Sequence, residues 1–236
     1  MRVGILDVGS NTARLLIADV NGTRLEPVTT GRAHLGLGAE IAERGTLRRK
    51  TIAAAARVCR KHADRARELG VERAQVIVTA PGRQGTASAA LVGALHEATR
   101  LPVRILAADD EGQLAYEGAV ASLSGNQPSR IAVVDVGGGS TELVVGPPGF
   151  GPMWLRSLDL GSLRLTRLAL PSDPPTAREL ARDVGIDPSR TGTLLAGALL
   201  LGEASRTLGR PLRLARGGLR EGAALALAAE TVARAA

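Results

Sequence analysis

The sequence predicts an α/β protein built as two similar lobes facing each other across a cleft. Three observations carry that prediction. Short apolar runs of strand length alternate with longer amphipathic stretches along the whole chain. A polar linker, SGNQPS at 124–129, divides it into a first lobe, residues 1–125, and a second, residues 126–236. The third is an internal repeat: ILDVGSNTARLL at 5–16 returns as VVDVGGGSTEL at 133–143. Shifting residue 135 back by 128 places Asp135 on Asp7, Val136 on Val8, Gly137 on Gly9 and Leu143 on Leu15. A repeat at that distance implies two lobes rather than a solenoid, whose periods are about 20–50 residues.

The elements follow in order. Residues 3–7 and 14–20 read as two strands joined by a tight turn at VGSNT. Residues 47–69 read as a helix with an apolar stripe in IAAAARV and a stop at Gly70. AQVIVTA, 74–80, is a buried strand, followed by a Pro-Gly turn and a helix from about 86 to 99. VRILA, 103–107, is another strand, and DDEGQLAYEGAVASL opens a helix with carboxylates in its first turn. In the second half, 131–135 and 142–146 form a strand pair around a glycine turn, and 153–160 a third strand. PSDPPT, 171–176, reads as a break, followed by helices at 177–184 and about 190–208. PLRLA, 211–215, reads as a strand, RGGLREG, 216–222, as a glycine loop, and the remainder as a C-terminal helix.

Composition excludes several functions. Tyr116, Phe150 and Trp154 are the only aromatic residues, which argues against a single-stranded nucleic-acid binder that stacks bases. The formal charge is +7, and all but Lys50 and Lys61 of the 30 basic residues are arginine. Arginine suits phosphate because its planar fork makes two charge-assisted hydrogen bonds, although a compositional bias toward Arg, Ala, Gly and Leu explains the charge equally well. One cysteine, Cys59, allows no intrachain disulfide, and three scattered histidines make no zinc site. Asp7 interrupts any signal-peptide core, and LLAGALLLG, 194–202, is too short for a membrane span, so no membrane partner and a cytoplasmic location are expected.

The two repeated turns carry the chemistry. Glycine lets backbone N–H groups approach a phosphate and permits the positive φ of an anion-binding nest. On this reading Gly9, Ser10, Asn11 and Thr12 form one phosphate loop and Gly137, Gly138, Gly139, Ser140 and Thr141 the other. Asp7 and Asp135 end apolar strands and point into the cleft, placed to hold Mg²⁺ through water. One such turn alone reads as an ordinary hairpin; two in matched context favour a shared ligand. No GxxxxGK[ST] pattern is present, which excludes a P-loop, and GGGST lies between strands, which excludes a dinucleotide fingerprint.

ILDVGSNTARLLIADV, VVDVGGGSTELVVG and GGLREG, in that order, resemble the exopolyphosphatase/guanosine pentaphosphate phosphatase family of the actin–sugar kinase–Hsp70 superfamily. The resemblance implies two RNase H-like, actin-like ATPase lobes and Mg²⁺-dependent release of terminal phosphate from inorganic polyphosphate or the nucleotide alarmone pppGpp. It implies Glu111, in AADDEGQLAYEGA, as the catalytic base, with Asp109 and Asp110 raising its pKa, and Glu142 as a glutamate that places metal or water. It implies Arg83 facing the phosphate channel. GGLREG sets a glycine turn before a helix N-terminus, an anion site joined by Arg220 unless Arg220 and Glu221 serve to fix the loop.

The chain also departs from the family pattern. The family's arginine after the early strands falls on His34, Gly112-Gln113 replaces Ala-Arg, and the second lobe is truncated. Loss of a nucleoside-supporting segment favours polyphosphate over pppGpp. A non-catalytic polyphosphate or alarmone sensor is the alternative, and a homodimer in which a partner subunit supplements the short lobe stays open.

Overall fold

Two sheets and two central helices organise the chain. The computed structural model describes residues 1–169 and 191–235. The first sheet comprises β1 (Arg2–Val8), β2 (Thr12–Asn21), β3 (Arg24–His34), β4 (Arg73–Val78) and β5 (Val103–Ile105), in the order β3-β2-β1-β4-β5. β1, β2 and β3 are antiparallel neighbours, whereas β4 and β5 run parallel to β1. The second sheet, β6 (Ile131–Val136), β7 (Thr141–Gly146) and β8 (Trp154–Leu158), repeats the antiparallel part in the order β6-β7-β8. Among the described residues it has no counterpart of β4 and β5.

Alternation along β1 and β2 supplies both faces of the first sheet. Leu6, Val8, Ala13, Leu15 and Ile17 pack with Ile52, Ala55, Cys59 and Ala63 of α2 (Arg49–Glu68) and with Leu91 and Leu95 of α4 (Ser88–Thr99). Val3, Ile5, Leu16, Ala18 and Val20 face the other way, onto Ala223, Ala224, Leu227 and Ala228 of the C-terminal helix, α8 (Leu219–Ala235). α8 in turn packs on α5 (Ala108–Ala121), and α5 lies against the second sheet. The layers therefore run from α2 and α4 through the first sheet, α8 and α5 to the second sheet. α6 (Ser162–Ala169) packs on α7 (Thr191–Leu208), which contacts β6. Among the described residues no helix is long and apolar enough to cross a membrane.

Several elements differ from the sequence expectation. β3 has no apolar alternation to announce it: RLEPVTTGRAH is mostly exposed because it is the edge strand, and there Pro27 removes no needed donor. The short α1 (Leu37–Arg44) lies between Gly36 and Gly45, both at φ 69°, the left-handed caps that isolate one short helix. The Pro-Gly turn is a five-residue helix, α3 (Ala80–Gln84), and α6 occupies residues to which the sequence reading assigns no element. Residues 211–215 are not a strand: they pair with none of the described strands, Leu214 is 99% exposed, and α8 already begins at Leu219 inside the expected glycine loop. The break at 171–176 and the helix at 177–184 lie outside the described residues.

Glycines explain how α5 and α8 meet. A methyl group on Gly222 would lie 1.9 Å from the Leu114 carbonyl oxygen, and one on Gly118 would lie 2.0 Å from the Gly218 oxygen. The two backbones are thus in direct contact, and GGLREG is a crossing motif as much as a loop. Gly112, one of the family departures, has the same reason, since its methyl would meet Leu155 at 2.8 Å and Val144 at 3.3 Å.

Glu40 of α1 ties down the start of α2. Its carboxylate accepts from the Arg48 N–H at 3.0 Å, the Arg48 Nε at 2.5 Å and the Thr51 hydroxyl at 2.5 Å. The Thr51 bond first, and the Arg48 bonds after it, hold its pKa at about 2 against the opposing effect of burial.

Two outcomes are expected. Gly222→Ala forces the helices apart and lowers unfolding free energy by about 3 kcal/mol or more, measured by urea denaturation. Glu40→Gln lowers the melting temperature at neutral pH. Because the folded pKa is depressed, the stabilisation exists above the unfolded value of 4.5 and disappears as pH falls toward about 2, so melting curves of parent and variant converge across that window.

Candidate active site

The two repeated turns are superposable in their hydrogen bonding. In the first, the Gly9 N–H donates to the Thr12 oxygen at 3.0 Å; in the second, the Gly137 N–H donates to the Ser140 oxygen at 2.9 Å. Each turn is backed by the start of a helix. The Gly38 N–H donates to the Ser10 oxygen, and the Ser162 and Leu163 N–H groups donate to the Gly137 and Gly138 oxygens. Those helix N-termini therefore support the turns, and Ser162 at the start of α6 also lines the cleft.

The glycines of the turns are not there for positive φ. Gly9, Gly137, Gly138 and Gly139 all have ordinary backbone angles, contrary to the nest expected from sequence. Crowding requires Gly139: a methyl there would lie 2.5 Å from the Ser10 hydroxyl and 2.9 Å from the Ala80 methyl. The turns of the two lobes thus nearly touch. Gln84 of α3 bridges them, donating to Asp159 Oδ1 at 2.7 Å and to the Gly139 oxygen at 3.4 Å, while Arg167 of α6 donates to the Ala39 oxygen at 2.5 Å.

A cleft of about 390 Å³ opens beside the turns, closed on its far side by the start of α8. Asp7 and Asp135 line it, together with Gly9, Ser10, Asn11 and Thr12 of the first turn. Gly137, Gly138, Gly139 and Ser140 line it from the second, and Glu111 and Arg220 complete the sequence-predicted set that it gathers. Three predicted residues sit elsewhere. The Thr141 hydroxyl donates to the Leu160 oxygen at 2.6 Å. Arg83 lies behind Glu111, its Nη1 donating to Glu111 Oε2 and to the Leu106 oxygen, both at 2.8 Å. Glu142 is 1% exposed and accepts from the Ser157 hydroxyl at 2.8 Å.

Burial dominates the electrostatics. It raises the Asp7 pKa to about 6, opposed by Arg14 and Arg220, and it raises Asp135 as well. Burial also raises Glu111 and Glu142, and the Glu142 charge raises Glu111 further, while Arg83 opposes. Asp109 and Asp110 are not the cause expected from sequence: Asp110 is paired with Arg104 at 2.5 Å. Glu221 accepts from the Gly218 N–H at 2.9 Å and so caps α8, leaving Arg220 facing the aspartates.

Sequence reasoning missed Arg14, Arg32 and Thr79, which line the cleft. Arg14 had a signal: the shift of 128 places it on Glu142. Arg32 is two residues before His34, where the family pattern has its arginine, hence on the same face of β3, and it lines the cleft. Across β1, β2 and β3 the residues Asp7, Arg14 and Arg32 stand opposite one another, and across β6, β7 and β8 so do Asp135, Glu142 and Ser157. The two rows are equivalent in register and opposite in charge.

The residues present fit a hard divalent cation. Asp7 Oδ1 and the Ser10 hydroxyl are buried without a hydrogen-bond partner, and both belong to the cleft. Among the described residues no group of three acidic, His or Cys side chains is close enough to hold a metal alone. That combination suits Mg²⁺, which keeps several waters and takes one or two carboxylates together with ligand phosphates.

A family model described as the Ppx/GppA phosphatase family matches residues 16–186. Exopolyphosphatase 1 of Mycobacterium tuberculosis is 32% identical over 182 residues, 77% of this chain and 52% of that protein. Exopolyphosphatase 2 of the same species is 29% identical over 228 residues, covering 84% and 68%. The chain thus spans about half the length of the first relative. Among solved structures, the Ppx/GppA family member of Aquifex aeolicus matches with a TM-score of 0.81 at 21% identity over 98% of both chains. An exopolyphosphatase from Cytophaga hutchinsonii matches at 0.67 and 20% identity over 88% of this chain and 64% of that one. These structural likenesses establish the fold, two actin-like ATPase lobes around a cleft. With the family model covering most of its length, the chain belongs to the Ppx/GppA phosphatase family.

Proposed function

We propose that this chain releases terminal phosphate from inorganic polyphosphate by Mg²⁺-assisted attack of water. The observation that carries the proposal is the placement of Glu111, held by Arg83 at the wall of a cleft that two phosphate-type turns close. The named relatives that support it are mycobacterial exopolyphosphatases.

The terminal phosphoryl group lies in the cleft beside the turns, against the Ser10 hydroxyl and the backbone of Gly137 to Gly139. Arg14 and Arg220 face the remaining negative charge. Glu111 accepts a proton as water attacks phosphorus; a new P–O bond forms, the anhydride P–O bond breaks, and the shortened chain leaves with the electron pair. Burial and Glu142 hold the Glu111 carboxyl above the ordinary carboxylate range, which makes it a better base near neutral pH. Arg83 fixes its orientation, the role of the third group in such constellations. Asp7 and Asp135 would hold Mg²⁺, which when bound would supply charge neutralisation on the phosphates. Positioning and electrostatics thus provide most of the rate.

Glu111→Gln is expected to lower phosphate release from polyphosphate by roughly a hundredfold or more, measured as free phosphate against the parent. Parallel assays with pppGpp and ATP test substrate choice. Polyphosphate binding with no phosphate released from any of the three overturns the hydrolase and leaves a sensor. The acid limb of the parent's kcat/KM profile should lie above the usual carboxylate range and move higher in Arg83→Met, since removal of the cation favours the protonated base. Asp135→Asn should raise the Mg²⁺ concentration needed for half-maximal rate; an unchanged requirement removes Asp135 from the metal site.

A further inference from the structure

Ser157 belongs to no phosphate loop, yet its position in the second sheet is equivalent to that of a cleft arginine in the first. It stands directly opposite Glu142, which stands directly opposite Asp135. Residues directly opposite in an antiparallel ladder share a face, so the three side chains form one row toward α5 and the cleft. The neighbouring inward residue of β8, Leu155, packs against Gly112 of α5. A serine in the strand WLRSL, turned to that inner side, brings a hydroxyl into an apolar setting where it is unfavourable unless it is bonded.

Its bond goes to Glu142: the Ser157 Oγ donates to Glu142 Oε1 at 2.8 Å. Glu142 is 1% exposed, so little water reaches its carboxylate and protein donors must fix it. Arg83 does the same for Glu111 from α3. The two glutamates of the proposed chemistry are therefore held separately, one from each lobe.

We propose that Ser157 is a positioning residue for phosphate release, its hydroxyl holding the Glu142 carboxylate in place for water. The proposal rests on the reading of Glu142 as a water-placing group. It predicts an effect on the chemical step and not on substrate capture, because Ser157 touches neither turn. A shift in side-chain orientation of this kind lowers turnover even where binding is intact.

The test compares Ser157→Ala, Ser157→Thr and Glu142→Gln with the parent in polyphosphate hydrolysis. Ser157→Ala should lower kcat on the order of tenfold with KM unchanged, and Ser157→Thr, which keeps the hydroxyl, should recover most of the loss. In the Glu142→Gln background Ser157→Ala should add little, because the two residues act as one unit. Full additivity, a change confined to KM, or parent-like kcat in Ser157→Ala overturns the proposal. Parent-like kcat in Glu142→Gln overturns the reading of Glu142 itself, a separate result. A crystal structure of Ser157→Ala supplies the arm independent of activity: the Glu142 carboxylate should leave its present position, and a carboxylate that stays refutes the positioning role even if no substrate is turned over.

Discussion

The close crossing of α5 and α8 governs the arrangement of everything around the cleft. α8 is fastened to the first sheet by Ala223, Ala224 and Leu227, and α5 is fastened to the second through Gly112 against Leu155 and Val144. Their backbones meet at Gly118, Gly217 and Gly222 with no space for a β-carbon. A methyl group at any of the three would push the two backbones, and with them the sheets, apart. Alanine-rich packing on one side and glycine contact on the other thus set the spacing of the two repeated turns, which neither helix contains. The starts of the same helices bear Glu111 and Arg220, so the crossing also sets where the proposed base and one cleft cation stand.

Burial of four carboxylates is the unfavourable feature that this framework sustains. Asp7, Glu111, Asp135 and Glu142 are all held above their ordinary pKa chiefly by desolvation. A protein optimised for stability alone would place apolar residues there, since the surrounding strand positions are Val, Leu and Ile. Unpartnered Asp7 Oδ1 and Ser10 Oγ belong to the same pattern. The cluster makes physical sense when a divalent cation and phosphate enter the cleft, because each supplies the charge or donor that the residues lack. Glu40 shows the contrast: an equally buried carboxylate with three hydrogen bonds, a depressed pKa and a purely structural place.

The sequence conveyed the layout through periodicity and repetition. The strands around Asp7 and Asp135 were legible because apolar runs flank them, and the repeat identified the turns as a pair. β3 was not legible, since an edge strand has no buried face to impose alternation. Residues 211–215 misled for the opposite reason: PLRLA alternates, but pairing needs a neighbour, and none of the described strands adjoins it. Glu111 was placed by resemblance and its environment only by structure, because the charges that raise its pKa come from β6 and β7, more than twenty residues away in sequence, and not from adjacent Asp109 and Asp110. Arg83 was drawn to the right site with the wrong partner; its guanidinium serves a carboxylate, a distinction that composition cannot convey.

The repeat also explains why one cleft carries both signs of charge. The two lobes keep aspartate at the same register position and differ in the residue opposite, arginine in one and glutamate in the other. Two copies of the first row would surround a phosphate chain with cations and leave Glu111 without the neighbouring Glu142 charge that raises its pKa. Two copies of the second would present carboxylates alone and repel the chain from both sides. Divergence after repetition gives each wall its own role. Arg14 and Arg32 line the cleft, whereas Glu142 is buried outside its lining, held by Ser157 and close enough to Glu111 to raise its pKa. The shared aspartates lie where the two walls meet, the position at which a cation would balance both.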